Sequence, residues 1–493
     1  LFRSVSIVMR VLHVCSELFP LLKTGGLADV TGALPPALAE FGCDSRVLVP
    51  GFPAFMNNVI DKELVADLGA KFGAEDVRLY RAKTPDNSIT LYVIDAQDLF
   101  DRPGNPYADA DNQAYADNYR RFALLGWVAA QLAGSLDPEW SAEVVHGHDW
   151  HAGLAPAYLK AEEIKTGQKL AASIFTVHNL AYQGVFPYRV LAEIDLPIWF
   201  FNIHGLEFHG QVSFLKAGLF FADKITTVSP SYAREIQGEE QGCGLHGLLQ
   251  ARSHDLSGVL NGVDPAVWSP VTDSLIAANY NTRSVAGKQA CRSALQEYCG
   301  LAKQDDKPIF AIVSRLTEQK GLNLVLAGID EILSRGGQLV ILGSGDTDLE
   351  AAFTKRAAAN PELMAVQLGY DEVHAHRIIA GSDVIMVPSR FEPCGLTQLY
   401  GLSYGTLPLV RKVGGLADTV TDSSLENLAD GIASGFVFNG FNVVEFGAAV
   451  RRAFALYARK AEWKRVQKYA MQQQLGWDAA AKVYYELYQQ VAN

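Results

Sequence analysis

The chain has 493 residues, 49% of them hydrophobic and 19% charged, an ordinary globular make-up with material for roughly two or three domains, which excludes a disordered or fibrous protein. Its 42 Lys and Arg against 54 Asp and Glu leave a formal charge of −12, the wrong sign for a nucleic-acid partner, so any phosphate it binds has to be met locally. The 6 cysteines are scattered without a C-x-x-C pair, which suggests neither a zinc site nor a disulfide framework and fits a reducing cytoplasm.

At the N-terminus, LFRSVSIVMRVLHV places an arginine on each side of a run too short for a signal-peptide core, so export is not expected, and residues 1–8 read as an extension ahead of a start at Met9. Short runs rich in Val, Ile and Leu then recur, each closed by Gly, Pro, Ser or Asp and followed by helical periodicity. In the first half they are RVLHVC (10–15), RVLVP (46–50), TLYVID (90–95), EVVHG (143–147), ASIFTV (172–177) and DKITTV (223–228). Between them FALLGWVAAQLAG, the longest apolar stretch, falls short of the about 20 residues a spanning helix needs, so a soluble chain with no membrane partner is expected. In the second half the runs are PIFAIVS (308–314), QLVILG (338–343), MAVQL (364–368), DVIMV (383–387) and LPLV (407–410).

Continuous apolar strands are buried on both faces, which predicts α/β architecture: two doubly wound, Rossmann-like domains with parallel sheets wrapped by helices. Turn signals in SGVLNGVDPAVWSP (257–270) put the boundary near residue 260. From about Trp477, VYYELYQQ carries aromatics at helical spacing and could pack on either domain. Ligands of such sheets sit beyond the carboxyl ends of the strands, so the loops after these runs are where chemistry is expected.

Lys23-Thr24-Gly25-Gly26-Leu27-Ala28-Asp29 recurs as Lys412-Val413-Gly414-Gly415-Leu416-Ala417-Asp418, each soon after a strand. A Gly-Gly pair at a strand-to-helix turn lets backbone amides approach an anion, with Lys adding a mobile charge. A tight turn would explain one copy equally well; two copies, read as a matched pair of loops, favour a ligand. His146-Gly147-His148-Asp149-Trp150-His151 fits no standard zinc spacing and suits sugar recognition better, with Asp149 for hydroxyls and the Trp150 indole for a pyranose face. His178, followed by Asn179, closes another strand and is as readily structural as functional.

Arg315 and Lys320, in SRLTEQKG, put two cations at a helix N-terminus, where a diphosphate could be held and its departure assisted without a metal; a solvated loop is the alternative. Glu392, in PSRFEPCGLTQ, lies where it could accept bonds from sugar hydroxyls or cap a helix. Cys394 lacks a base and reads as packing. Tyr107, Asn261 and Tyr370 lie in loops beyond strands, the tyrosines as stacking surfaces. No Walker loop is present, and Gly343-Ser344-Gly345-Asp346 is too short for a dinucleotide fingerprint, which excludes a P-loop ATPase and disfavours a dehydrogenase.

KTGGLADV, HDWHAGLAP, FTVHNLAYQG, VLNGVD, SRLTEQKGL, PSRFEPCGLTQLYG and KVGGLADTV, in this order, resemble the bacterial glycogen synthase family of glycosyltransferase-B fold, over about residues 9–490. The resemblance implies transfer of glucose from ADP-glucose to the non-reducing end of an α-1,4-glucan, with retention of configuration, release of ADP and no cofactor or metal. It implies an N-terminal domain over 9–260, a C-terminal domain over 261–474 facing it across a cleft, and a segment 475–493 that crosses back to the N-terminal domain. On the donor it implies Lys23, Gly25, Gly26, Asn261, Arg315, Lys320, Tyr370, Glu392, Cys394, Gly395, Leu396 and Thr397. It puts His178 beside the anomeric carbon, and Tyr107, Asp149, Trp150 and Asn179 on the acceptor side. The second glutamate of many retaining relatives is replaced here by Tyr400, so a double-carboxylate mechanism is not assigned. A UDP-glucose donor or a starch-synthase-like acceptor preference, a sugar-binding protein without chemistry and a nucleotide-sugar epimerase are the competing readings; no protein partner is indicated.

Overall fold

The computed structural model describes residues 8–492, so the expected extension over residues 1–8 lies outside the described residues apart from Val8. The chain divides into two units, one of residues 1–261 with 477–493 and one of residues 262–476. Among the described residues no helix is long and apolar enough to cross a membrane. The stretch at FALLGWVAAQLAG is the interior helix Asn118–Ala133, most of whose side chains are buried.

The first unit is built on β1 (Met9–Val14), β2 (Cys43–Pro50), β3 (Ile60–Lys71), β4 (Ala74–Lys83), β5 (Thr90–Asp95), β6 (Val144–His148) and β7 (Ala172–Val177). A small antiparallel sheet of β8 (Val185–Pro187), β9 (Glu207–Phe208) and β10 (Gln211–Ser213) is inserted before β11 (Lys224–Thr227) and β12 (Leu256–Gly258). The large sheet runs β12-β11-β7-β6-β1-β2-β5-β4-β3. It is parallel from β12 to β5, as continuous apolar runs require, but β3 and β4 pair antiparallel at its edge, so the sheet is mixed rather than purely parallel. The reason is visible in β3 itself, whose side chains are mostly exposed and which therefore needs no helix on either face.

The second unit carries β13 (Ile309–Val313), β14 (Gln338–Gly343), β15 (Met364–Leu368), β16 (Val384–Val387), β17 (Leu407–Arg411) and β18 (Phe436–Phe438), all parallel, in the order β15-β14-β13-β16-β17-β18. Each unit has its own apolar core. The last helix, Asp478–Ala492, belongs to the first unit. It buries Tyr484 and Tyr488 against the helix Gly26–Ala39 and the sheet, and the Tyr488 hydroxyl lies 2.8 Å from His146 Nδ1.

Candidate active site

An open α/β sheet exposes a crevice where the strand order reverses, beyond the carboxyl ends of the two strands that flank the reversal. In the first unit those strands are β1 and β6; in the second they are β13 and β16. The loops that follow these four carry Lys23 after β1, Asp149 after β6, Arg315 and Lys320 after β13, and Glu392 after β16.

After β1 the chain turns through Glu17, a glutamate that sequence reasoning passed over and that is 3% exposed. Its carboxylate accepts the backbone N–H of Thr24 at 2.7 Å and of Gly25 at 3.2 Å, the Thr24 hydroxyl at 2.5 Å and the Tyr107 hydroxyl at 2.5 Å. The Gly25 amide that the Gly-Gly reading aims at an anion is thus held by an internal one. Lys23 donates to Asp29 at 2.9 Å, in the first turn of the helix Gly26–Ala39, where a carboxylate is also favoured by the helix dipole. The signal for Glu17 was its place: an acid immediately beyond the carboxyl end of a buried strand.

After β6, Asp149 adopts φ 59°, a left-handed conformation that costs a non-glycine residue about 1–3 kcal/mol and persists only where its surroundings impose it. Its Oδ1 accepts the backbone N–H of His178 at 2.8 Å and of Asn179 at 3.3 Å, which ties the end of β6 to the end of β7. Burial pushes its carboxyl up to about 7, against the pull of those two N–H groups. Trp150 packs edge-on to Phe122, and a Cβ on Gly184 would lie 2.2 Å from its ring, so part of the indole face is covered by backbone rather than open. The Tyr107 ring likewise stacks on His151 at 4.5 Å, and burial holds its hydroxyl well above its ordinary pKa. Neither ring is the open stacking surface the sequence suggested.

The histidines of this region do gather: His13, His146 and His148 are buried with their ring nitrogens close together. Both His146 nitrogens have partners, Tyr488 and Thr176, and its ring stacks on His148 at 4.1 Å, so in this structure His146 is engaged with two hydroxyls.

In the second unit, Lys320 donates to Glu392 at 2.7 and 3.0 Å, and the Ser389 hydroxyl donates to the same carboxylate at 2.8 Å. Glu392 caps no helix: the nearest, Thr397–Tyr404, is preceded by Leu396 and has no side-chain cap, which removes the capping alternative. The two loops are braced against each other. Arg390 donates its backbone N–H to the Gln319 carbonyl at 2.8 Å, and Gly321, at φ +76°, lies where a Cβ would come within 2.1 Å of the Pro388 carbonyl oxygen. Arg315 is exposed beside Gln319. Cys394 is buried and its carbonyl accepts the Gln398 amide at 2.9 Å, from where Gly395 and Leu396 lead into the helix begun by Thr397.

The repeat Lys412–Asp418 is not topologically matched to its first copy, because it follows β17, the neighbour of β16, rather than a strand at the reversal. Gly414, at φ +44°, would place a Cβ 1.9 Å from the Glu392 carbonyl oxygen, and Gly415 one 2.3 Å from that of Cys394. Tyr370 is exposed beyond β15, and Asn261, the last residue of the first unit before its C-terminal segment, has a buried Oδ1 with no hydrogen-bond partner among the described residues. Tyr400 stacks on Trp268 at 3.9 Å, whose other face carries His376 at 3.7 Å, so this position holds an aromatic stack where many retaining relatives have an acid.

Residues 10–251 match the family described as the starch synthase catalytic domain, and residues 300–470 match glycosyl transferases group 1. The chain is 67% identical over 484 residues to a glycogen synthase of Francisella philomiragia subsp. philomiragia, covering 98% of this chain and 100% of the relative. It is 66% identical over 486 residues to one of Francisella tularensis subsp. novicida, covering 98% and 99%. The catalytic domain of starch synthase IV from Arabidopsis thaliana, bound to ADP and acarbose, superposes with a TM-score of 0.90 at 29% identity, covering 98% of this chain and 99% of that one. A sucrose-phosphate synthase from Thermosynechococcus elongatus shares the fold alone, with a TM-score of 0.58 at 15% identity over 98% of each chain.

Proposed function

The chain belongs to the glycogen synthase family, a branch of the glycosyltransferase-B fold, and from that premise we propose that it transfers glucose from ADP-glucose to the non-reducing end of an α-1,4-glucan, retaining the anomeric configuration and releasing ADP. The observation that carries this reading is the Lys320–Glu392 pair beside the strand-order reversal of the second unit.

Arg315 and Lys320 take the charge that accumulates on the departing diphosphate, with Arg as a fork and Lys as a point charge. Because the Lys320 ammonium also holds Glu392, the group that meets the phosphate positions the carboxylate that orients the transferred glucose. The bond from the anomeric carbon to the diphosphate oxygen breaks through an oxocarbenium-like state, and the acceptor 4-hydroxyl oxygen bonds to that carbon on the same face. Its proton passes to the departing diphosphate oxygen, so no enzyme nucleophile is required. Cys394 through Thr397, Tyr370 and Asn261 lie on the donor side in this reading, and Lys23 adds a further cation for it. His178 stands beside the anomeric carbon, and Asp149, with Trp150, Asn179 and Tyr107, shapes the acceptor side.

Arg315 and Lys320 can offset leaving-group charge that a divalent ion would otherwise balance, so we propose that neither metal nor cofactor is needed. All six cysteines are free thiols, which suits a reaction run in the cytoplasm. The test is incubation with glycogen and either ADP-glucose or UDP-glucose, with and without EDTA. The reading expects nucleoside diphosphate release and α-1,4 extension with ADP-glucose, undiminished by EDTA. No release with ADP-glucose would overturn it, and loss in EDTA restored by Mg²⁺ would overturn metal independence.

A further inference from the structure

His178 is the end of a chain of imidazoles. β1 and β6 are paired with His13 opposite His146, and His148 follows His146 on the same face. His13 Nδ1 lies 3.2 Å from His148 Nε2, and His148 Nδ1 lies 3.1 Å from His178 Nε2. Burial keeps all three rings neutral, bringing His13 and His178 down to about 3 and His148 well below its ordinary value. His146 stays outside the chain, since both its nitrogens are bonded to hydroxyls.

A neutral imidazole carries one N–H and one lone pair, so two links in series allow only two proton orders. In the first, His13 Nδ1–H donates to His148 Nε2, His148 Nδ1–H donates to His178 Nε2, and the N–H of His178 is left on Nδ1. In the second, every donor is reversed and the last N–H falls on His13 Nε2. That atom is buried and has no hydrogen-bond partner among the described residues. A buried orphan N–H is rarer in folded proteins than an unsatisfied acceptor, which selects the first order. At the other end His178 is half-buried, and its Nδ1 meets no partner among the described residues.

We infer that His13 and His148 are positioning residues that fix the Nδ1–H tautomer of His178, so that its free nitrogen donates to an acceptor oxygen of the bound sugar and does not take a proton from it. Only the identity of the sugar rests on the proposed function; the tautomer does not.

The direct test is ¹⁵N NMR of the full chain labelled at histidine, without substrate, with the His178 signals assigned by their loss in His178→Asn. Between about pH 6 and 8 the inference expects a protonated Nδ1 and a bare Nε2 at His178. A protonated Nε2, or a ring that takes up a second proton in that range, overturns it. His148→Leu removes the donor to His178 and should show a mixture of His178 tautomers, with kcat down about tenfold and KM for ADP-glucose within about twofold. His148→Asn keeps an amide donor and should recover most of kcat. A His178 tautomer unchanged in the leucine variant also overturns the inference, and should neither variant fold, the wild-type spectrum decides alone. A wild-type Nδ1–H tautomer in a chain inactive toward ADP-glucose would sink the proposed function and leave the relay standing.

Discussion

Lys23–Asp29 and Lys412–Asp418 share a motif and sit in different mechanical situations. The first follows β1, at the reversal of strand order, with Thr24, Gly25 and Gly26 exposed and open space where a Gly25 Cβ would go. The second follows β17, one strand beyond the reversal, with Gly414 and Gly415 buried against the backbone of Glu392 and Cys394, and Gly415 donating its N–H to the carbonyls of Glu392 and Pro393. Similar residues therefore serve two ends: glycines that leave room in front of a loop, and glycines that let one loop bear on another. In the first copy the lysine is anchored by Asp29 and its loop by Glu17; in the second the lysine is exposed. What a Gly-Gly pair does depends on which strand precedes it, and that is a property of topology rather than of the motif.

The largest expected effect comes from the residue the second loop supports. Glu392→Gln keeps the shape and removes the charge that Lys320 and Ser389 hold, so kcat should fall by roughly 10²-fold or more while ADP affinity stays nearly unchanged, because ADP lacks the glucose. Steady-state kinetics with calorimetric ADP binding check it; a near-normal kcat would detach the second loop from catalysis. Next in size, Lys23→Ala should lower kcat/KM for ADP-glucose by about tenfold or more, with Lys412→Ala within about threefold of wild type. Equal losses in both would erase the distinction between the copies. Glu17→Gln leaves one acceptor oxygen where Glu17 offers two, the Thr24 and Gly25 amides sharing Oε2 and the Thr24 and Tyr107 hydroxyls sharing Oε1, and should reproduce part of the Lys23 defect, a few-fold to tenfold, without touching Lys23 itself.

The last effect is on stability rather than on catalysis, a pH slope. Burial raises the Asp149 carboxyl to about 7, above its ordinary value, so between roughly pH 4 and 7 the folded chain holds a proton that the unfolded chain has released. Stability should then fall as pH rises through that window, by no more than one proton's worth, and Asp149→Asn should flatten the slope. Denaturant unfolding at several pH values measures it; an identical slope in the variant would contradict the assignment.

Much of this molecule was legible in its sequence where the signal is local. Buried parallel strands announce themselves as uninterrupted apolar runs, and Arg315, Lys320 and Glu392 lie at strand ends where ligands of such sheets are met. The β3–β4 pair was not read, because its exposed, charged residues lack that signature. The partners of Glu17 and the chain from His13 to His178 were beyond reach for a different reason. Glu17 meets Tyr107 across 90 positions and His13 meets His148 across 135, and only the strand order brings them together. The repeated motif misled by the same route, since the reading as a matched pair assumed equivalent strands for the two copies.

The most direct measurement compares Gly25→Ala with Gly414→Ala, by thermal unfolding and by kinetics with ADP-glucose. A Cβ at Gly25 meets nothing within 4 Å and Gly25 is extended, so its melting temperature should match wild type and any defect should be a raised KM. A Cβ at Gly414 must push back the Glu392 carbonyl, so that variant should melt several degrees lower and lose kcat by at least about tenfold. Two variants with the same melting temperature and the same kinetic defect would contradict the division of labour between the loops.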